Sequence, residues 1–359
     1  MNFTLHLTAD CNLACRYCYE THSRAHMTEE TAKKAVDLAF SFGHSKNGFS
    51  LFGGEPMLER GVIECICRYA SEKAKAAETA VRFKMTTNGM LLDESFLQFA
   101  NAQNLEIALS HDGLLQDVQR VTRDGKPTMK RLEPIVDLLL EYQPNAVAMQ
   151  TVMPSTVDRM AESVQWLYER GFSRINTAID YRVDAGWDDA SMAVLKTQYE
   201  RIADLCDAHF DDVRPLHYLN FLSKIAAYLN DRPCLECKLG MRQPSVSWDG
   251  SIYPCNQFLN LPAYRMGDVN SGLNREKQRE IYRASLDPEP DCEGCAIADR
   301  CRHHCACLNF SLTGQMHEVA PVQCEHERIL IPVADGLAER LYTRKSARFL
   351  LNYRDDPLD

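Results

Sequence analysis

Cys11-Asn12-Leu13-Ala14-Cys15-Arg16-Tyr17-Cys18 places three thiols at C-x3-C-x2-C spacing, directly after a short run of alternating apolar residues, Phe3–Thr8. Three thiolates this close in sequence can converge on one metal centre from a single loop. A cubane [4Fe–4S] cluster is usually held by four cysteines. Three local ligands would leave one iron free for a ligand that is not protein, and we expect chemistry at that iron.

Length and composition limit the alternatives. The chain has 359 residues, of which 45% are hydrophobic and 25% charged, as in ordinary globular proteins. It contains no apolar run of membrane-spanning length, and its N-terminus does not read as a signal peptide, so we expect a cytoplasmic protein with no membrane partner. The formal net charge of −10 argues against nucleic-acid binding, which needs a basic face.

The cysteines are unevenly distributed along the chain. There are fifteen, and nine of them lie between Cys234 and Cys324. In a reducing compartment such a cluster favours metal ligation over disulfides. The change in density predicts a first domain over residues 1–215, a Cys-rich, loop-dominated domain over 216–327 and a helical tail over 328–359.

Strand and helix patterns alternate through the first two-thirds of the chain. The predicted strands cover residues 2–8, 49–52, 81–86, 105–109, 146–152 and 174–180. The predicted helices follow Thr28, cover residues 57–76, follow Asp93 over 94–102, and cover 128–142, 157–170 and 190–209. Six such units predict parallel strands with right-handed crossovers, that is, an α/β fold of the partial (β/α)6 TIM-like barrel type.

A polar or glycine-rich group follows each of the first four predicted strands. After the cysteine loop come Gly53-Gly54-Glu55-Pro56, Thr87-Asn88-Gly89 and Ser110-His111-Asp112-Gly113. Any one of these short motifs is consistent with an ordinary turn. Because the carboxyl ends of parallel strands carry the active site in barrel-like folds, their joint order predicts one shared site.

With these motifs the chain resembles the radical S-adenosylmethionine (radical SAM) family over about residues 5–180. The resemblance implies that Cys11, Cys15 and Cys18 hold a [4Fe–4S] cluster that binds S-adenosylmethionine. It also implies a set of cofactor-binding residues: Tyr17, Gly53, Gly54, Glu55, Thr87, Asn88, Ser110, Asp112 and Arg120. Glu55 would accept a charge-assisted hydrogen bond from the methionine ammonium, and Arg120 would approach its carboxylate, with Arg123 as the competing residue.

The reaction that the resemblance implies is reductive cleavage of S-adenosylmethionine to methionine and a 5′-deoxyadenosyl radical. The protein mainly positions this cofactor chemistry. An external electron donor of flavodoxin or ferredoxin type is then required.

The C-terminal cysteines resemble the SPASM extension of radical SAM enzymes, which carries two auxiliary [4Fe–4S] clusters. The signature is Cys255 after Gly250, followed by a C-x2-C-x5-C-x3-C run and a last cysteine. Mapped by order, the first auxiliary cluster takes Cys234, Cys237, Cys255 and Cys305. The second takes Cys292, Cys295, Cys301 and Cys324. The resemblance thus implies three [4Fe–4S] clusters in all.

Several ligand alternatives stay open. Cys307 competes with Cys305, and the tight spacing of Cys234 and Cys237 leaves one of them spare if the first auxiliary cluster has an open site. Cys65, Cys67 and Cys206 lie on predicted helices and are expected to be packed thiols. Structural zinc is the alternative for the C-terminal set, because C-x2-C repeats also form zinc ribbons.

SPASM-bearing relatives mostly modify peptides or proteins, so the expected substrate is a ribosomally made precursor peptide and the expected product a crosslink, such as a thioether. Anaerobic sulfatase-maturing enzymes, the alternative, carry an Asp after the cysteine of the G-x4-C unit. Here that position is Asn256, and an amide cannot act as a base at neutral pH. Asn256, Asp180 and Tyr181 are the candidate residues of the substrate cavity. An iron–sulfur electron carrier or a zinc protein, neither an enzyme, is the third hypothesis.

Overall fold

Strands and helices alternate as predicted in the computed structural model, which describes residues 1–229, 238–286, 292–303 and 305–353. The chain divides into two units that are interleaved in sequence. Unit 1 comprises Met1–Ser110, Arg120–Gln143 and Cys237–Asp287; unit 2 comprises His111–Gln119, Pro144–Glu236 and Pro288–Asp359. The boundaries predicted from cysteine density stay a prediction.

Unit 1 contains a parallel sheet with a short antiparallel extension. Its strands are β1 (Asn2–His6), β2 (Lys46–Phe52), β3 (Ala80–Thr87), β4 (Leu105–Ser110), β8 (Ser245–Val246) and β9 (Ile252–Tyr253), with a separate hairpin of β10 (Gly267–Asp268) and β11 (Gly272–Leu273). The order is β4-β3-β2-β1-β8-β9, and every pair except β8–β9 is parallel. The helices are α1 (Glu29–Ser41), α2 (Arg60–Ala76), α3 (Glu94–Ala102), α5 (Met129–Tyr142) and α9 (Arg275–Ala284).

Unit 2 contains a parallel sheet of three strands, in the order β5-β6-β7. They are β5 (Val147–Val152), β6 (Arg174–Ile179) and β7 (His217–Tyr218). The helices are α4 (Gln116–Gln119), α6 (Met160–Glu169), α7 (Asp189–His209), α8 (Leu219–Leu229), α10 (Ala306–Thr313), α11 (Pro321–Thr343) and α12 (Ala347–Asn352). Helix α11 packs against α7 and α8. It begins at Pro321, before the start of the tail predicted over residues 328–359, and that boundary stays a prediction.

Local sequence signals explain the ends of these elements. Thr28 caps α1 by accepting a hydrogen bond from Thr31 N, and Asp93 caps α3 by accepting one from Phe96 N at 2.7 Å. Helices α2 and α6 begin three residues later than predicted, because 3₁₀ turns at Pro56–Glu59 and Pro154–Arg159 precede them.

The alternation of the strands fixes which side chains form the core. Phe3 and Leu5 on β1 lie beside Phe49 and Leu51 on β2, and all four are almost fully buried. Because successive residues of a strand face opposite sides, this register places the loop after each strand at the same edge. No helix in the described ranges is long and apolar enough to cross a lipid bilayer.

Candidate active site and cysteine clusters

The cysteine loop follows β1 in unit 1 and has donors directed at its first thiol. Cys11 is buried, and its Sγ lies 3.4 Å from Leu13 N and 3.8 Å from Asn88 Nδ2. Burial raises the pKa of the Cys11 thiol to about 12, so a bound cation would be needed to hold it as a thiolate. N–H groups directed at a ligating sulfur are typical of iron–sulfur sites, and the loop therefore fits a cluster.

Two glycines let the loop after β2 pack against the backbone just before Cys11. Gly54 N and Glu55 N donate to the carbonyls of Thr8 and Asp10, at 2.9 and 2.8 Å. A Cβ atom on Gly54 would lie 2.2 Å from Asp10 O, and one on Gly53 would lie 2.5 Å from Thr8 O. The close approach is therefore possible only without side chains at these positions.

Glu55 joins the loops after β2 and β3. One carboxylate oxygen accepts hydrogen bonds from Met57 N (3.0 Å) and Thr87 Oγ1 (2.6 Å), and the other accepts one from Asn88 N at 2.8 Å. The side chain is almost fully buried, and burial raises its pKa, an effect that these three donors and Arg120 oppose. A carboxylate offers about four lone-pair sites, so one acceptor position is left beyond these three bonds.

The segment of unit 1 that begins at Arg120 pairs with the cysteine loop. Ala14 N donates to Val121 O at 2.8 Å. The buried Arg120 guanidinium lies 5.2 Å from the centre of the Tyr17 ring, within cation–π range. Arg123, the competing candidate, forms an ion pair with Asp10.

The pair predicted after β4 is divided between the two units. Ser110 ends β4 in unit 1 and is half-buried. Asp112 belongs to unit 2, where it is fully buried and accepts a hydrogen bond from Thr151 N at 2.8 Å. Each position is compatible with the predicted role, which stays a prediction.

Asn256 forms a link between the cysteine loop and the segment after β9. Its Nδ2 donates to the Tyr19 hydroxyl at 3.3 Å, and its Oδ1 lies 2.9 Å from Cys255 Sγ. Both ends of the amide are thus in contact with polar groups, and the Tyr19 hydroxyl is held close to a predicted auxiliary-cluster ligand.

The other two cavity candidates, Asp180 and Tyr181, lie in unit 2 and have different bonding partners. Asp180 forms a bidentate ion pair with Arg182, with nitrogen–oxygen distances of 3.0 and 2.8 Å. Tyr181 donates to, or accepts from, His326 Nδ1, and Tyr199 Oη lies 2.7 Å from Nε2 of the same ring. Burial lowers the pKa of His326 to about 3, so this ring is neutral at pH 7. A cavity of about 120 Å³ lies beside Tyr181 and His326.

The structure describes six of the C-terminal cysteines of unit 2. Cys295 N donates to Cys292 O at 3.2 Å, and Cys301 is buried. Cys305 Sγ lies 3.5 Å from Cys307 Sγ, and this contact lowers the pKa of Cys305. Cys324 lies in the first turn of α11.

The remaining cysteines divide into two groups. Cys65 and Cys67 lie on α2 and Cys206 on α7, and the last two are fully buried. Cys234 and Cys237 lie outside the described residues. Within the described ranges, no three His, Cys, Asp or Glu side chains converge where a single metal ion could be held.

Three residues near the site were not predicted from the sequence. Asn12 accepts a hydrogen bond from Asn88 Nδ2 at 2.7 Å, Tyr19 accepts one from Asn256, and Glu20 has one shielded carboxylate oxygen without a hydrogen-bond partner among the described residues. The only sequence feature that could have pointed to these three residues is their position inside or directly after the C-x3-C-x2-C loop.

Comparison with known families identifies the class of enzyme. Residues 5–167 match the model of the Radical SAM superfamily, a range that includes the cysteine loop and the Glu55 motif. This part of the chain is a radical SAM domain, and the protein is a radical SAM enzyme, as predicted. Its cofactors therefore include S-adenosylmethionine and an iron–sulfur cluster.

Two curated relatives are similar over most of their length. The chain is 23% identical over 323 residues to the cysteine-type anaerobic sulfatase-maturating enzyme of Clostridium perfringens (strain 13 / Type A), covering 83% of this chain and 86% of that protein. It is 25% identical over 346 residues to the PqqA peptide cyclase of Granulibacter bethesdensis, covering 89% of this chain and 86% of that protein.

Solved structures confirm the predicted fold class. The structure of native anSMEcpe with bound AdoMet aligns with a TM-score of 0.82 at 18% identity, covering 96% of this chain and 99% of that chain. SuiB of Streptococcus suis bound to S-adenosylmethionine aligns with a TM-score of 0.64 at 15% identity, covering 90% and 76%. The fold is the radical SAM α/β fold with a parallel sheet and a Cys-rich C-terminal region.

Proposed function

We propose that this radical SAM enzyme removes a hydrogen atom from a residue of a ribosomally made precursor peptide in the cytoplasm and forms a crosslink, such as a thioether. The observation that carries the proposal is Asn256, an amide held by Tyr19 and Cys255 where a sulfatase-maturing enzyme would carry an acid. In thioether formation the deoxyadenosyl radical takes one hydrogen atom, and an auxiliary cluster would accept the one electron that the crosslinked residue must still lose. The substrate thiol is itself the nucleophile, and binding to an auxiliary cluster would release its proton to solvent, so no base is required at position 256.

Comparisons support a peptide substrate. SuiB has been solved bound to its precursor peptide SuiA, and anSMEcpe has been solved with bound AdoMet and peptides. The PqqA peptide cyclase is, as its name states, an enzyme that cyclises a peptide.

We assign the cluster that binds S-adenosylmethionine to Cys11, Cys15 and Cys18. When bound, this cluster and its nucleotide supply the radical that removes the hydrogen atom. Leu13 N and Asn88 Nδ2 would donate to the Cys11 sulfur, and the free acceptor position of Glu55 would take one N–H of the methionine ammonium. Arg120, fixed by its stack on Tyr17, would pair with the methionine carboxylate.

We also propose that the two auxiliary clusters use the eight C-terminal ligands assigned by order in the sequence, with Cys307 as the alternative to Cys305. Loaded protein should then contain about twelve irons per chain, and protein with the first cluster alone about four.

Sulfatase maturation is the second candidate, favoured by the Clostridium perfringens relative. One experiment separates the two functions. The enzyme is co-expressed anaerobically with a cysteine-containing peptide encoded beside its gene, or with a sulfatase active-site peptide, and the products are analysed by mass spectrometry, thiol alkylation and a hydrazide that traps aldehydes.

A thioether product loses two hydrogens and one alkylatable thiol and does not react with hydrazide. A formylglycine product reacts with hydrazide. Trapping of an aldehyde in the sulfatase peptide, with the neighbouring peptide unchanged, would reject the crosslinking proposal. A Cys15→Ala enzyme is the control, since it should neither bind the first cluster nor release 5′-deoxyadenosine.

A further inference from the structure

Helix α9 carries an arginine on each of three successive turns. Arg275, Arg279 and Arg283 follow at i, i+4 and i+8, which places them along one side of the helix, and all three are exposed. The opposite side, with Gln278 and Ile281, is buried. The neighbouring segment adds Lys238 and Arg242, and we call these five residues the basic surface.

The basic surface is unusual in this chain because of its charge. Helix α9 carries four Lys and Arg against two Glu, whereas the whole chain has a formal net charge of −10. Arg275 is held by Gln278 Oε1 at 3.0 Å and by the Phe42 ring at 4.6 Å. Within the described residues, no carboxylate forms an ion pair with the other four cations of the surface.

Several other cations of the protein are paired with carboxylates. On α11, Arg340 and Arg344 pair with Asp207 at 3.1 and 2.8 Å. On α9 itself, Lys277 pairs with Glu280 at 2.8 Å. Glu276 and Glu280 reduce the charge of the helix, which still keeps four cations against two anions. The described residues of the surface therefore carry a net positive charge on an acidic protein.

The buried side of α9 contacts the backbone that carries a predicted cluster ligand. Gln278 Nε2 donates to Gly240 O at 2.7 Å, and Gly240 N donates to Pro254 O at 3.1 Å. Pro254 directly precedes Cys255. A protein bound to the exposed side of α9 would thus lie one helix away from the loop of Cys255.

We propose that the basic surface is the docking site of the electron donor, a small acidic one-electron carrier of ferredoxin type. This inference rests on the proposed function, which requires such a donor. In the transfer step the reduced carrier loses one electron and an iron–sulfur cluster of the enzyme gains it, with no bond formed or broken. Opposite charges steer such encounters and make their rate dependent on ionic strength.

The test compares two charge-reversed variants of the loaded enzyme. Arg279→Glu/Arg283→Glu changes the basic surface, and Lys130→Glu/Arg131→Glu makes the same change in charge on α5, where both side chains are exposed. Each protein is assayed for binding to a purified acidic [2Fe–2S] ferredoxin, and for 5′-deoxyadenosine formation driven by reduced ferredoxin or by dithionite.

We expect the α9 variant to bind ferredoxin about tenfold more weakly at low ionic strength and to lose the salt dependence of the wild type. Its dithionite-driven activity and iron content should equal those of the α5 variant. Equal ferredoxin affinity in the two variants would overturn the proposal. Loss of dithionite-driven activity in the α9 variant alone would also overturn it, because α9 would then support the loop of Cys255 or the substrate. Failure of the peptide reaction with normal ferredoxin docking would instead reject the proposed function.

Discussion

Replacing Gly54 by alanine tests whether the close contact between two loops shapes the cluster site. The new Cβ would lie 2.2 Å from Asp10 O, so the loop before Cys11 must move by roughly 1 Å to reach an ordinary contact. The φ angle of Gly54 is not positive, so the clash itself is what the substitution introduces.

The expected cost follows from the bonds that this movement breaks. Gly54 N to Thr8 O and Glu55 N to Asp10 O are backbone hydrogen bonds of 2.9 and 2.8 Å. At about 1 kcal/mol each, and with steric strain added, we expect the free energy of unfolding to fall by about 2–4 kcal/mol. Because Cys11 follows Asp10 directly, the first cluster should also be lost.

The assay is urea unfolding together with iron content after anaerobic reconstitution and 5′-deoxyadenosine formation. We expect the variant to lose about four irons per chain and most of its cleavage activity. Gly61→Ala on α2 is the matched control, since no atom lies within 4 Å of its new Cβ and alanine favours a helix by about 0.5–1 kcal/mol. If Gly54→Ala loads as much iron as Gly61→Ala and cleaves at the same rate, the close contact does not shape the site.

Three further predictions concern the two units separately. Burial lowers the pKa of His6 to about 3, so below pH 6.5 the unfolded state binds a proton that the folded state does not, and the free energy of unfolding falls by at most about 1.4 kcal/mol per pH unit on acidification. Urea unfolding of His6→Phe between pH 7.5 and 5.5 should show a smaller change of unfolding free energy with pH than the wild type, and an equal change would contradict the assignment. Lys224 Nζ lies 2.5 Å from Glu327 Oε2, and both side chains are buried. Lys224→Met should therefore lower the free energy of unfolding in urea by about 3–5 kcal/mol, because the charge of Glu327 stays buried without its partner, and Lys224→Met/Glu327→Gln should recover most of this loss. Equal losses in the two variants would show that the unpaired carboxylate is not the cause. The sulfurs of Cys305 and Cys307 lie 3.5 Å apart, so Cys307 should partly replace Cys305 as a cluster ligand when Cys305 is removed. The iron content of Cys305→Ala should therefore exceed that of Cys305→Ala/Cys307→Ala, and identical iron contents would show that Cys307 does not act as a ligand.

Local patterns predicted β1–β6 and the helices α1, α2, α3, α5, α6 and α7, but they did not predict β7–β11, α4 or α8–α10. The alternation of Phe3, Leu5 and their neighbours predicts β1, and Thr28 and Asp93 predict the starts of α1 and α3, because each signal acts within a few residues. The late starts of α2 and α6 were missed, since a proline that opens a 3₁₀ turn looks in sequence like one that opens an α-helix.

Contacts of the site were predicted from the sequence only where the residues involved lie in the same loop. The cysteine spacing is local, and it indicated the cluster. Glu55 was identified from its motif, but its bonds to Thr87 and Asn88 span more than thirty residues, and Asn256 reaches Tyr19 across 237 residues. Such contacts depend on the register of the sheet, which one sequence does not specify.

The hydrogen bonds of Glu55 change how its substitution should be interpreted. Its carboxylate was predicted as the partner of an ammonium, yet three of its roughly four acceptor sites hold the loops after β2 and β3 together. Removing it would disturb Asn88, which lies 3.8 Å from Cys11 Sγ, and with it the cluster. Lost activity in Glu55→Ala would therefore not distinguish cofactor binding from loop packing. Thr87→Val removes one donor and leaves the carboxylate in place. Thr87 is itself a predicted cofactor-binding residue, so a rise in the KM for S-adenosylmethionine at unchanged iron content in that variant would show that Thr87 and Glu55 together act on the cofactor and not only on loop packing.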